Sequence, residues 1–74
     1  MTQSRELTLG EKRVRATFNV SGDDTVSDIK FKVATLIDLC ETLKGKDARL
    51  AALAQTSFEE GAMWAVKAAT TGLP

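Results

Sequence analysis

A chain of 74 residues holds one small domain, and ten basic against ten acidic side chains leave no bulk field to draw it onto a nucleic-acid polymer or an anionic membrane. One cysteine and no histidine exclude an intrachain disulfide and leave zinc without a ligand set, so a marginal core is expected to gain support from self-association. No apolar run approaches the ~20 residues that span a bilayer, and the polar N-terminus does not read as a signal peptide. The expectation is a soluble intracellular protein with a reduced thiol.

Residues 1–12 are polar apart from Leu7 and Leu9, and are expected to form a flexible or loosely docked arm. Residues 13–74 are expected to form the domain proper. Within "RVRATFNV", Arg13 to Val20, polar residues alternate with Val14, Ala16 and Phe18, a period of two that predicts an extended segment. That segment would lie along a helix or pair with another subunit. "SGDDT" then breaks the chain. Thr25 followed by Asp28 resembles a capping box with Asp where Glu is usual.

The first long helix is predicted from about Val26 to Lys44, with Val26, Ile29, Val33, Leu36, Ile37, Cys40 and Leu43 as one apolar stripe. Lys30 and Lys32 lie off that stripe. Lys44-Gly45 reads as a stop in which glycine takes positive φ. The second helix is predicted from its N-cap Asp47 to about Ala69, with Leu50, Leu53, Ala54, Phe58, Ala62, Ala65, Val66 and Ala69 inward and Gly72 and Pro74 as terminators. A connection as short as Gly45-Lys46 folds the two helices back antiparallel. The fold class is therefore all-α: an antiparallel helical hairpin with a short extended N-terminal segment, assembled into a symmetric oligomer. Alanines around more than half of the second helix, with Gly61 among them, fit close packing by another subunit. Glycine costs ~1 kcal/mol against alanine in a helix interior. Trp64, beside that face, is a candidate to close the seam.

The residues argue against catalysis. The commonest general base near neutral pH is absent. Glu59 and Glu60, adjacent in a helix, point about 100° apart and do not form a carboxylate dyad. Cys40 falls on the apolar stripe as a core thiol. Lys30, Lys32 and Arg49 read either as a solvated face or as local cations for a small anion. Phe18, with Asn19 after it and Arg13 and Arg15 before it, reads either as a base-stacking platform or as a core plug.

Taken together, "TFNVSGDDTVSDIKFKVATLIDLCE" and "ARLAALAQTSFEEGAMWAVKAAT" are similar to the phage anti-CBASS and Thoeris anti-defence cyclic-nucleotide sponges, which share one helical hairpin domain. The resemblance covers about Arg13 to Thr70. It implies hairpin dimers built into rings, commonly hexamers, that act in the host cytoplasm. They hold cyclic dinucleotides, cyclic trinucleotides or cyclic ADP-ribose variants between subunits and return them intact, with no cofactor and no metal. It assigns phosphate contact to Lys30, base stacking to Phe18 beside Asn19, and ligand contact to Arg49, Gln55 and Thr56. At Phe18 the chain departs from the anti-CBASS pattern, which has a tyrosine and a different loop length. The competing reading is a small helical oligomerisation or protein-interaction module without a nucleotide ligand.

Overall fold

The computed structural model describes residues 6–17 and 24–72. Three helices follow in order, α1 (Leu9–Arg13), α2 (Asp24–Glu41) and α3 (Ala48–Ala69), and no strand occurs among the described residues. The α2–α3 hairpin agrees with the sequence reading. Asp47 caps α3 as expected, its Oδ1 accepting from Leu50 N at 2.9 Å.

The extended segment does not form over residues 13–17; Arg13 closes α1, and residues 14–17 are a turn. The rest of that segment, including Phe18 and Asn19, lies outside the described residues. The helix starts where it does because Thr8 and Glu11 make a full capping box. Thr8 Oγ1 accepts from Glu11 N at 3.1 Å, and Glu11 Oε1 accepts from Thr8 N at 2.8 Å. Val14 is buried and Ala16 half-buried, so the alternation that suggested a strand arises from a turn facing the core on one side.

α1 is seated on α2 through a glycine. A Cβ at Gly10 would overlap the backbone of Ala34, so only glycine lets the two helices approach this closely. Gly10 N donates to Asp38 Oδ1 at 2.7 Å, giving one of the unpaired amides in the first turn of α1 a partner on α2. Val14, Ala34, Ile37 and Ala62 make the core, flanked by Leu9, Ile29, Val33 and Phe58.

The hairpin seam is rotated from the predicted stripes. On α2 it runs through Val26, Lys30, Ala34, Ile37 and Cys40, while Leu36, Leu39 and Leu43 stay exposed. On α3 it runs through Ala51, Gln55 and Ala62, and Leu50 and Leu53 face out. Small residues bring the backbones together. Gln55 is wholly buried between the two helices, and its Nε2 donates to Ile37 O at 3.0 Å and to Glu41 Oε1 at 2.9 Å. That bond, with Lys44 beside it, holds the Glu41 carboxyl below the usual carboxylate range. Gln55 Oε1 has no partner among the described residues.

α2 begins at Asp24, so Thr25 lies inside the helix rather than capping it, and Asp28 pairs instead with Lys32 at 3.1 Å. α2 ends at Glu41 through the i→i−3 bonds of Thr42, Leu43 and Lys44, a tightened last turn. Gly45 is not left-handed; among the described glycines only Gly72 has positive φ, at 87°.

The molecule is 12 Å across its thinnest dimension, about one helix diameter. The helices thus form a single layer. Leu50, Leu53, Gly61 and Trp64 fall within an arc of roughly 80° on α3, turned away from the seam and exposed, and apart from its chain neighbours and its own helix backbone no described group lies within 4 Å of where a Gly61 Cβ would be. Among the described residues Trp64 Nε1 donates to Glu60 Oε2 alone, at 3.4 Å, and Lys67 Nζ lies 5.8 Å from its ring centre.

Gly10→Ala should lower the unfolding free energy by about 1–3 kcal/mol, because the added methyl meets rigid helix backbone. Urea denaturation measures this, and an unchanged midpoint would mean that α1 is not seated on Ala34.

Candidate functional site

The end of α1 is built in an unusual way. Ala16 N donates to Glu11 O at 2.9 Å and Arg15 N to Lys12 O at 3.2 Å, the paired bonds of a Schellman ending. Its left-handed position is usually glycine; here it is Arg15, with φ 55°. A side chain in that conformation costs ~1–2 kcal/mol. Strain of this kind collects at functional positions.

Lys30 supports the turn from beneath. It is buried at 7% exposure, on the seam rather than off the stripe as the sequence suggested, and its Nζ donates to Arg15 O at 3.0 Å. Burial pushes the Lys30 amine below its ordinary value, and the nearby Arg15 charge adds to the effect. Arg13 reaches the other way, to α3, where its Nε donates to Glu59 Oε1 at 2.7 Å and its Nη2 to Thr56 Oγ1 at 3.4 Å. The Arg13–Glu59 pair is part-exposed, so it adds only ~0–1 kcal/mol to stability. Its effect is to fix where the guanidinium sits.

These contacts enclose a groove of 490 Å³ lined by Arg13, Val14, Arg15, Lys30, Glu59, Ala62, Met63 and Val66. Arg13, Arg15 and Lys30 supply cations to its lining, and Val14, Ala62, Met63 and Val66 supply apolar surface. Such a groove can take an anion that carries a flat apolar group, with charge-assisted bonds at one end and dispersion contact at the other.

Of the residues expected from sequence, Lys30 lies in the groove and Thr56 touches it through Arg13. Gln55 points into the seam, with its amide donating inside the hairpin. Arg49 is exposed in the first turn of α3, at the hairpin's loop end, away from Lys30. Phe18 and Asn19 lie outside the described residues. Glu59 and Glu60 serve different partners, Arg13 and Trp64. Sequence reasoning named Arg13 and Arg15 only as flanks of Phe18 and gave them no ligand contact, and it did not assign Glu59 and Met63. The signal that locates the two arginines is Thr8-x-x-Glu11, a helix start that puts Arg15 one residue beyond the helix C-cap. Among the described residues no group of three metal-ligating side chains occurs, and no helix is long and apolar enough to cross a membrane.

Residues 11–70 match the family model described as Acb2/Tad1, hairpin domain. No curated protein and no solved structure matches the chain.

Arg15→Gly should stabilise the fold by about 1 kcal/mol through relief of the left-handed strain, seen as a higher denaturation midpoint. A fall would show that the arginine side chain holds the turn together. A second outcome concerns pH. The folded-state amine of Lys30 lies below its value of 10.5, so the charged form is penalised on folding. That penalty is fully present below the folded value and is lost as pH rises through it toward 10.5. The stability of the native chain relative to Lys30→Met should therefore increase across that window, measured by denaturation at stepped alkaline pH. A flat difference would mean that Lys30 carries no burial penalty.

Proposed function

The chain belongs to the Acb2/Tad1 hairpin-domain family, that of the anti-CBASS and Thoeris anti-defence sponges, and from that premise we propose that it sequesters a cyclic-nucleotide immune signal in the host cytoplasm without altering it. The observation that carries this reading is the groove that gathers Lys30, Arg13 and Arg15 beside an apolar wall in a protein of zero net charge. A compact ligand needs only such a local cluster, whereas a polymer needs an extended basic surface. The ligand is a cyclic dinucleotide, a cyclic trinucleotide or a cyclic ADP-ribose variant. Lys30 and Arg15 meet phosphate, and Met63 and Val66 flank a base. Phe18 and Asn19 contribute to base contact from the segment that follows the turn.

The working form is a ring of hairpins, a hexamer. A layer one helix thick cannot cover its own broad faces, and the exposed Leu50, Leu53, Gly61 and Trp64 stripe supplies the contact. Arg49 and Thr56, on exposed parts of α3, belong to a second ligand site that a neighbouring subunit completes. Gln55 supports it from inside the seam. A plain interaction module shares the apolar stripe but has no use for a strained arginine over a buried lysine.

Light scattering at micromolar concentration should give a mass several times the 8.0 kDa chain, and Gly61→Leu should reduce it by forcing the seam apart. A well-folded monomer would overturn the ring. The purified protein, incubated with a panel of cyclic oligonucleotides and cyclic ADP-ribose isomers and then heated, should release its ligand intact by mass spectrometry. Lys30→Met, which keeps the buried stem, should weaken binding about a hundredfold, since hydrogen bonds to charged groups contribute roughly 1.5–3 kcal/mol. An assembled protein that retains no member of the panel would favour the interaction module.

A further inference from the structure

We propose that Glu59 reads the Watson–Crick edge of a guanine base, which makes the groove selective for guanine over adenine; this rests on the sponge reading above. Among the described residues that line the groove, the charged donors are Arg13, Arg15 and Lys30, and Glu59 is the one carboxylate. A site built for phosphate alone is weakened by a carboxylate on its wall, because like charges repel at short range. The carboxylate instead suits a ligand that brings donors as well as phosphates.

The geometry shows what capacity is left. Arg13 Nε occupies Glu59 Oε1 at 2.7 Å, and the Glu59 side chain keeps about a third of its surface open, at 34%. A carboxylate has two oxygens and about four acceptor positions, and Glu59 Oε2 has no hydrogen-bond partner among the described residues. The anchor on Arg13 holds the carboxylate in place, so its second oxygen is fixed relative to the apolar wall of Ala62, Met63 and Val66.

Guanine alone among the common bases offers two adjacent N–H donors, N1 and N2, to such an acceptor pair. Adenine offers one donor next to an acceptor, and its ring nitrogen would face the second oxygen lone pair to lone pair. A base lying on Met63, one helical turn from Glu59, with its edge on Glu59 leaves its phosphate to Arg15 and Lys30, which line the same groove. Recognition of one edge by a matched bidentate pair discriminates by roughly tenfold or more.

The test is titration calorimetry of the full chain with cyclic di-GMP, cyclic di-IMP and cyclic di-AMP. The native protein should bind in that order, with inosine weaker because it lacks the N2 amine, and guanine over adenine by about tenfold or more. Glu59→Gln keeps the length and one acceptor but presents an N–H₂ in place of the second. It should lose about tenfold for cyclic di-GMP and hold or gain affinity for cyclic di-AMP. The native order of the three ligands needs no variant, so it decides the matter even if the substitution disturbs the fold. Equal affinity for all three, or a parallel loss for all three in Glu59→Gln, overturns the assignment and leaves the sponge reading standing. Failure to bind any of them also overturns it, and the wider ligand panel then shows whether the sponge reading falls too.

Discussion

One close contact between backbones places everything else: Gly10 resting on Ala34, tied by the amide of Gly10 to the Asp38 carboxylate. Five residues of helix have no stability of their own in water, because nucleation costs more than so few hydrogen bonds return. α1 therefore exists where α2 gives it a surface. Once it is seated, Arg13 can span to Glu59 on α3 and the turn at Arg15 sits over Lys30. The groove's cationic flank is thus a product of docking rather than of the hairpin alone.

Lys30 and Arg15 set stability against use. A lysine buried in the seam and an arginine in a left-handed turn are both unfavourable in isolation. They are joined through the backbone, where the Lys30 amine gives the Arg15 carbonyl a strong donor, while the Arg15 charge adds to the cost of the buried amine. An apolar residue and a glycine would serve the fold as well or better. What they would not supply is two cations at the edge of an apolar groove.

The hairpin was legible because its signals are local: Asp47 as a cap, a short connection, and apolar residues at helical spacing. Large side chains at helical spacing do not mark the seam. The leucines of α2 and α3 face out, and the alanines, Lys30 and Gln55 face in. Small residues mark the seam because two backbones that lie close leave no room for leucine. The turn at residues 14–17 looks extended in sequence because a Schellman ending with arginine at its left-handed position lacks the glycine that announces one. Spacing alone puts Lys30 off the apolar stripe. Its value as a candidate came from family resemblance, while its burial depends on α1, which the sequence reading had treated as an arm.

The shortness of α1 has a dynamic consequence. A short segment held by a glycine seat, the Asp38 carboxylate, Val14 in the core, the Lys30–Arg15 carbonyl bond and a part-exposed ion pair is expected to open without the long helices separating, as a sub-global event with its own smaller free energy. Each opening dissolves the flank of the groove and frees Lys30 from the Arg15 carbonyl. A ligand that bridges α1 to α3 closes this motion, so occupancy and the lifetime of α1's amide protons become coupled quantities. Arg13, the last residue of α1, and the turn residues Val14 and Arg15 then belong both to the segment that opens and to the groove.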